Sequence, residues 1–282
     1  MSEGKVESNG IMIWYEEFGE PSNPSVLLVM GARAQATLWP PELIEPIVDA
    51  GYHVIRFDNR DMGLSTWIED FTANPYTLDD MSVDAVGLMD ALKIKRAHVI
   101  GISMGGMIAQ LVAINYPDRV LSLTSWASTY WVADPDVPGA TDEVQALLMK
   151  LMESPPTTRE EIIESSVTMW RVLAGSRFPF DEKGIRAREE AALDRGQNPK
   201  NSHFLACMQA PSRLDALRKL YVPTLVIHGD EDPIINYCHG VACAKVIPGA
   251  KLFTLKGVGH EIPLSIIPET VQEILKHISN AS

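Results

Sequence analysis

The sequence predicts an α/β protein with a doubly wound, mostly parallel sheet and an inserted all-helical segment. Short apolar runs rich in β-branched residues alternate with longer segments of helical periodicity, an order typical of such sheets. Several of these runs lack polar alternation, which favours strands that are covered on both faces. Strand-like runs stop between residues 128 and 212, where helical patterns take over.

The first half of the chain carries predicted strands at residues 11–18, 26–30, 52–57 and 97–102. A T-x-x-D pattern at residues 77–80 marks the start of a helix between the last two strands. Threonine and an acidic residue three positions later cap the free N–H groups of a first turn. The chain therefore runs strand, helix, strand.

The second half continues this alternation. A helix is predicted over residues 107–116, before Pro117, and strands are predicted over residues 120–126, 224–228 and 251–255. Two further helices are expected at residues 236–247 and 265–278. This order implies an open sheet with helices on both faces.

The intervening segment is predicted to be a helical lid. An apolar stripe of helical spacing begins at Val144, Thr158 and Glu161 form a capping box, and residues 185–193 offer a third helix. The alternative is a second independent domain, but strands resume afterwards as if one sheet had been interrupted. We therefore expect a core of residues 1–127 and 213–282 with a lid of residues 128–212.

Composition and charge narrow the class of partner. With 282 residues the chain can bury a sizeable core, and 46% apolar with 22% charged residues is typical of a soluble globular protein. The net charge of −13 disfavours nucleic acid and anionic membrane surfaces, since no local basic patch offsets it. A small-molecule partner is the expectation, and a homodimer remains open.

The N-terminus is polar and no segment approaches roughly 18 consecutive apolar residues, so we expect a cytoplasmic protein. Cys207, Cys238 and Cys243 lack CxxC and metal-ligand spacing, which indicates structural thiols. The sequence also lacks an HExxH motif and a phosphate loop of the form G-x-x-x-x-G-K-[ST]. Neither a metal nor a cofactor is therefore expected.

The stretch GISMG at residues 101–105 contains the candidate nucleophile, Ser103. The G-x-S-x-G pattern is weak by itself, but here it follows an apolar strand and opens a helix. A sharp strained turn at that place holds a serine hydroxyl at the top of the sheet. A side chain at Gly101 or Gly105 is expected to clash, because the backbone doubles back closely.

A serine hydroxyl needs a base to take its proton and an acid to orient the base. His260 lies in a glycine-rich loop after the last predicted strand, at the carboxyl edge of the sheet, and is the best candidate base. The other histidines lie early in strands, within helical patterns, at a strand end or beside the insertion: His53, His98, His203, His228, His239 and His277. For the acid, Asp230, Glu231 and Asp232 all follow the penultimate strand, and strand alternation does not choose among them.

These residues make the sequence resemble the α/β-hydrolase superfamily over nearly its whole length, including the chain order Ser, Asp, His. The family's G-x-x-D-P pattern falls on Gly229, Asp232 and Pro233, so the resemblance selects Asp232 as the triad acid. Within the superfamily, the sequence looks like the aclacinomycin methylesterase group of capped carboxylesterases. That likeness rests on LVMG at residues 28–31, HVIRFDNRDMGLS at residues 53–65 and the elbow at residues 101–106.

An acyl transfer also needs N–H donors for the developing oxyanion. One is expected from the backbone of Met104, directly after the nucleophile and at a helix N-terminus. The resemblance points to the Ala32 backbone for the second donor. The sequence departs from the commoner His-Gly form of this loop by carrying Met30 in the histidine position.

Substrate contacts are predicted from the residues around these positions. Arg33 fits either a contact to a substrate carboxylate or carbonyl or a solvated surface arginine. Met30, Met62, Met104 and Met107 suit adaptable pocket walls. Aromatic residues of the lid and its start offer further walls or simply lid core, and we expect no more than two to touch substrate: Trp126, Tyr130, Trp131, Trp170, Phe178 and Phe180.

Asp58, Arg60 and Asp61 suggest catalysis at first sight, but we expect them to brace loops, with Arg60 paired to a carboxylate. The resulting hypothesis is a serine carboxylic-ester hydrolase of the carboxylesterase type that acts on a small to medium, largely apolar ester. A lactonase or a carbon–carbon bond hydrolase uses the same residues. A non-catalytic ligand receptor on the same fold is the alternative from another class.

Overall fold

In the computed structural model, which describes residues 2–281, eight strands form one sheet in the order β1-β2-β4-β3-β5-β6-β7-β8. The strands are β1 (Ser2–Ser8), β2 (Ile11–Phe18), β3 (Ser25–Val29), β4 (His53–Phe57), β5 (Ala97–Ile102), β6 (Val120–Trp126), β7 (Thr224–Gly229) and β8 (Lys251–Leu255). β2 is antiparallel to both β1 and β4, and all other neighbouring pairs are parallel. The prediction of a mostly parallel sheet is confirmed.

The helices are α1 (Pro41–Asp49), α2 (Leu78–Ala91), α3 (Met104–Asn115), α4 (Asp142–Glu153), α5 (Arg159–Leu173), α6 (Glu182–Gly196), α7 (His203–Gln209), α8 (Leu214–Leu217), α9 (Tyr237–Val246) and α10 (Ile267–Ser279). Thr77 and Thr158 cap α2 and α5 through complete capping boxes. Both capping predictions are therefore confirmed. Strand β1 and the helices α1, α7 and α8 were not predicted from the sequence.

Two apolar cores lie on opposite faces of the sheet. Alternate residues of β3 enter different cores: Leu27 and Val29 pack with α2 and α3, whereas Val26 and Leu28 pack with α1 and α10. Each such strand is covered on both faces, which explains why its sequence shows no polar alternation.

Helices α4 to α7 follow β6 without an intervening strand in the described chain. We call residues 128–212 the helical insertion, and its use as a lid and its boundaries stay predictions. Among residues 2–281, no helix combines the length and apolar character that a bilayer span requires.

Candidate active site

Ser103 occupies the turn between β5 and α3. Its backbone has φ 56° and ψ −124°, a conformation that costs a non-glycine residue about 1–3 kcal/mol. The turn is fixed from β6, because the Ser103 N–H donates to the Trp126 carbonyl at 2.8 Å. The Ser128 hydroxyl donates to the Ser103 carbonyl, also at 2.8 Å. The parallel neighbour strand thus holds the serine in place.

Two glycines make this turn sterically accessible. A Cβ atom on Gly101 lies 2.0 Å from the Gly105 carbonyl oxygen, and one on Gly105 lies 2.1 Å from the Val29 carbonyl oxygen. Both contacts are with backbone, which cannot move aside as a flexible side chain can. The predicted clash at these two positions is confirmed.

His260 joins the serine to an aspartate. Its Nε2 lies 3.0 Å from the Ser103 Oγ, and its Nδ1 lies 2.6 Å from the Asp232 Oδ2. The His260 loop follows β8 and the Asp232 loop follows β7, so the carboxyl ends of parallel strands deliver both residues to one edge of the sheet. The structure brings together the three residues that the sequence analysis selected.

The other two carboxylates of the aspartate loop face different partners. Asp230 accepts the Gly257 N–H at 2.7 Å and pairs with Lys256, while Glu231 accepts the Ser176 N–H and hydroxyl. Of the three carboxylates, Asp232 is the one that the structure places against the His260 ring, and its role as the triad acid stays a prediction.

Asp232 is completely enclosed, and its second oxygen is also satisfied. Oδ1 accepts the N–H groups of Ile234 and Ile235 at 3.0 and 2.9 Å. Burial alone raises the pKa of this carboxyl group, but the charge interaction with His260 and hydrogen bonds from His228 and His260 outweigh it. The pKa lies below its ordinary value, so the group stays ionised.

Two backbone N–H groups adjoin Ser103. Met104 is the first residue of α3, so its N–H has no partner within the helix. The loop after β3 approaches from the other side, since a Cβ on Gly31 lies 3.1 Å from the Ser103 Cβ. Within residues 2–281, neither the Met104 nor the Ala32 N–H donates to another group. Both N–H groups are thus without another partner, and their use as oxyanion donors stays a prediction.

The residues predicted to contact substrate fall into two groups. Four are almost fully buried in the two cores: Met30, Met107, Trp126 and Tyr130. Trp131 and Trp170 are partly exposed and Arg33 is exposed. Trp170 donates its Nε1–H to Glu189, and the Arg188 guanidinium lies 4.5 Å from its ring centroid. Contacts of all seven to a substrate stay predictions.

The charged stretch after β4 braces loops, as expected. Arg60 forms a two-fold hydrogen-bonded ion pair with Asp84 at 2.6 Å. Asp58 accepts the Ala36 N–H and pairs with Arg195 of α6 at 2.7 Å. The two contacts of Asp58 thus anchor the loop after β3 and the helical insertion to one buried carboxylate.

Sequence reasoning missed several residues that support the site. Leu173, at the end of α5, accepts the His260 N–H at 2.8 Å. Glu261 accepts the Gly175 N–H at 3.0 Å, and His203 of α7 contacts the loop of Ala32 through Arg33. Each contact joins residues far apart along the chain, so no local pattern announces it. Among residues 2–281, no group of three or more His, Cys, Asp or Glu residues is placed to hold a metal ion.

Fold and site together define a class, the α/β hydrolases with a serine at a strained turn between a strand and a helix. Residues 24–265 match the family model described as alpha/beta hydrolase fold, and the chain belongs to this family.

Comparison with known proteins also tests the narrower prediction, the resemblance to the aclacinomycin methylesterase group. The chain is 31% identical to the rhodomycin D methylesterase of Streptomyces peucetius over 98% of both sequences. It is 32% identical, with the same coverage, to that of Streptomyces sp. strain C5. The predicted resemblance to the aclacinomycin methylesterase group is thereby confirmed. An esterase from Exiguobacterium antarcticum shares the fold with a TM-score of 0.82, at 21% identity over 98% of each chain.

Proposed function

We propose that this protein is a serine carboxylic-ester hydrolase that acts on a small to medium, largely apolar ester through an acyl-enzyme. Membership of the family and the full-length similarity to two methylesterases confirm the predicted class, a carboxylesterase-type hydrolase. The observation that carries the mechanism is the hydrogen-bonded series Ser103, His260 and Asp232 beside two free N–H groups.

The first half of the reaction is the attack of Ser103 on the ester. Neutral His260 takes the hydroxyl proton of Ser103 at Nε2, and the serine oxygen attacks the ester carbonyl carbon. Asp232 accepts the Nδ1–H of His260, which fixes the tautomer and stabilises the imidazolium. The N–H groups of Ala32 and Met104 stabilise the negative oxygen.

The second half releases both products. His260 gives its proton to the alcohol oxygen as the bond between that oxygen and the carbonyl carbon breaks, so the alcohol leaves and the acyl group stays on Ser103. Water then enters. The same imidazole takes a proton from that water as the water oxygen attacks the acyl carbon. It then gives this proton to the Ser103 oxygen as the acyl bond breaks, which releases the acid and restores the hydroxyl. No other reactant is consumed.

The substrate is expected to be a small-molecule ester or lactone. Similarity to two methylesterases supports an ester of a small alcohol. In this proposal Met30, Met107 and the aromatic residues Trp126, Tyr130, Trp131 and Trp170 form the apolar surroundings of the site, and Arg33 contacts a polar substituent. A cytoplasmic location and a homodimer stay predictions.

Steady-state turnover of p-nitrophenyl esters with short to medium acyl chains, by wild type and Ser103→Ala, tests the proposal. We expect turnover that falls by at least about a thousandfold in the variant, because removal of a nucleophile leaves only binding and oxyanion stabilisation. Parallel assays on matched methyl esters, lactones and vinylogous diketones separate the ester hydrolase from a lactonase and a carbon–carbon bond hydrolase. Ligand binding without Ser103-dependent turnover supports the receptor alternative instead.

A further inference from the structure

The backbone around Ala32 is anchored on both sides while the Ala32 N–H is left free. On one side, the Met30 carbonyl accepts the Asn59 side-chain N–H at 2.9 Å. On the other, the Arg33 N–H donates to the Nδ1 of His203 at 3.1 Å. The planar peptide units that carry the Ala32 and Arg33 N–H groups share the Ala32 Cα. When the Arg33 N–H is fixed, the direction of the Ala32 N–H depends only on the two backbone torsions of Ala32.

His203 has one chemically consistent protonation state. Its Nε2 lies 2.7 Å from the Arg60 carbonyl oxygen, which can only accept, so Nε2 carries the hydrogen. Nδ1 then presents a lone pair to the Arg33 N–H. The imidazole is fully buried and bridges the loop after β3 to the loop after β4.

Arg33 needs such an anchor. Its φ of 59° places a non-glycine residue in the left-handed region, at a cost of about 1–2 kcal/mol. Its carbonyl accepts the Gln197 side-chain N–H at 3.3 Å. Both backbone polar groups of this strained residue are therefore hydrogen-bonded to the helical insertion.

The segment that carries His203 is itself fixed to the core. Asp61 accepts the Asn198 side-chain N–H at 2.6 Å and the Ser202 N–H at 2.8 Å. The Tyr76 hydroxyl also donates to Asp61, at 2.9 Å. The residues that precede His203 are therefore held against the core, so the position of its ring relative to the loop is fixed.

We propose that His203 is a positioning residue for the oxyanion hole, and that the helical insertion thereby completes the catalytic site. This inference rests on the proposed function. His203 touches no reacting atom; it acts through the Arg33 N–H, which sets the Ala32 donor opposite Met104.

Two near-isosteric substitutions separate the two hydrogen bonds of His203. In His203→Asn the amide oxygen lies near the former Nδ1 and still accepts the Arg33 N–H, while the donor to Arg60 is lost. In His203→Gln the terminal N–H₂ lies near the former Nε2 and still donates to Arg60, while the acceptor for Arg33 is lost.

For His203→Gln we expect kcat on a p-nitrophenyl ester to fall about 10- to 100-fold with KM changed less than about 3-fold, since loss of a whole oxyanion donor costs about 100- to 1,000-fold. His203→Asn should stay within about 5-fold of wild type in kcat. His277→Gln is the control for destabilisation by the same substitution: it changes a buried histidine of α10 whose Nε2 lies 3.1 Å from the Leu123 carbonyl oxygen, and its kcat should match wild type.

A trifluoromethyl ketone gives a second readout. The Ser103 oxygen bonds to its carbonyl carbon, the serine proton moves to His260, and the ketone oxygen becomes an alkoxide in the oxyanion hole. Its affinity should fall in His203→Gln by the same factor as kcat/KM, while the affinity for the product alcohol stays unchanged.

Equal kcat values in the Gln and Asn variants, or losses that follow only their unfolding free energies, overturn the inference. If the Gln variant fails to fold, Gln197→Leu removes the exposed donor to the Arg33 carbonyl and should lower kcat several-fold at unchanged KM; wild-type kcat there also overturns it. Turnover that persists in Ser103→Ala rejects the proposed function itself. Ser103-dependent turnover without a difference between the two His203 variants rejects only the role of His203.

Discussion

Single residues in this site are held mainly by backbone groups. Asp232 receives two N–H groups on one oxygen and the His260 ring on the other, so its carboxylate has little freedom to turn. Such fixation keeps the imidazole in one tautomer before a substrate arrives, which lowers the reorganisation needed in the transition state.

Asp232→Asn should lower kcat by about 10,000-fold, as the equivalent change does in a serine protease. The amide N–H₂ donates to Nδ1, which moves the ring hydrogen to Nε2 and removes the acceptor for the Ser103 proton. Turnover of a p-nitrophenyl ester measures the effect. Asp230→Asn, in the same loop but facing Lys256 and Gly257, should stay within about 3-fold; an Asp232→Asn enzyme with a tenth of wild-type kcat contradicts the assignment.

Turns and helix ends determine where the elements place their residues. The turn at Ser103 depends on the close approach of α3 to β3, which Gly105 permits. The helical insertion depends on contacts at the end of α6, where Arg195 pairs with the fully buried Asp58. These two elements give separate tests of how the site is supported.

Gly105→Ala should destabilise the protein by about 3 kcal/mol or more, because the new methyl group meets the Val29 carbonyl oxygen at 2.1 Å. Urea unfolding measures the change. Gly139→Ala is the matched control, since nothing lies within 4 Å of a Cβ there, and it should shift stability by less than about 1 kcal/mol. Similar losses in the two variants are incompatible with this steric account.

Arg195→Ala should cost about 3 kcal/mol, because it leaves the Asp58 carboxylate buried without its ionic partner. Arg186→Ala on the same helix removes ion pairs to Glu160 and Glu164, whose side chains are well exposed, and should change stability little. Chemical denaturation of both variants provides the comparison. If Arg186→Ala proves the more damaging change, the buried pair does not anchor α6.

Local patterns were sufficient for most elements. Both capping boxes, the strand β5 and the elbow glycines follow from short stretches of sequence, since their contacts are near in the chain. The hairpin of β1 and β2 was missed although Asn9 and Gly10, with φ of 49° and 76°, form the asparagine–glycine turn that favours such hairpins. Helix α1 was missed because Pro46 lies inside it, where proline removes a helical hydrogen bond.

Long-range contacts could not be predicted in this way. Ser103 and His260 could be selected from local patterns, and Asp232 from the resemblance to a family. The contact of His203 with Arg33 spans 170 positions, and nothing in the sequence around either residue indicates the other. Contacts of this kind, which hold the site in place, are therefore visible only in the three-dimensional structure.

At the scale of the whole molecule, buried histidines link stability to pH. Burial lowers the pKa of His98 to about 4, and the positive charges of His277 and Arg96 act in the same direction. Burial likewise lowers the pKa of His203 to about 4. In both cases the folded protein resists a proton that the unfolded chain accepts near pH 6.5.

Stability should therefore fall as the pH falls. Below pH 6.5 the unfolded chain binds protons that the folded state excludes, so each of these histidines costs about 2 kcal/mol at pH 5 relative to pH 7. Urea titrations at the two values test this. His98→Asn keeps an acceptor towards Ser122 but does not titrate, and it should reduce the loss by about 2 kcal/mol; an unfolding free energy that does not change between pH 7 and pH 5 excludes the account.

During turnover Ser103 should carry the acyl group of the substrate ester. Intact-mass measurement after rapid quenching of the enzyme with a p-nitrophenyl ester, followed by peptide mapping, tests it most directly. We expect one acyl adduct per chain on the peptide that contains Ser103, and no adduct in Ser103→Ala. An adduct on another residue, or ester turnover with no adduct at any quench time, would contradict it.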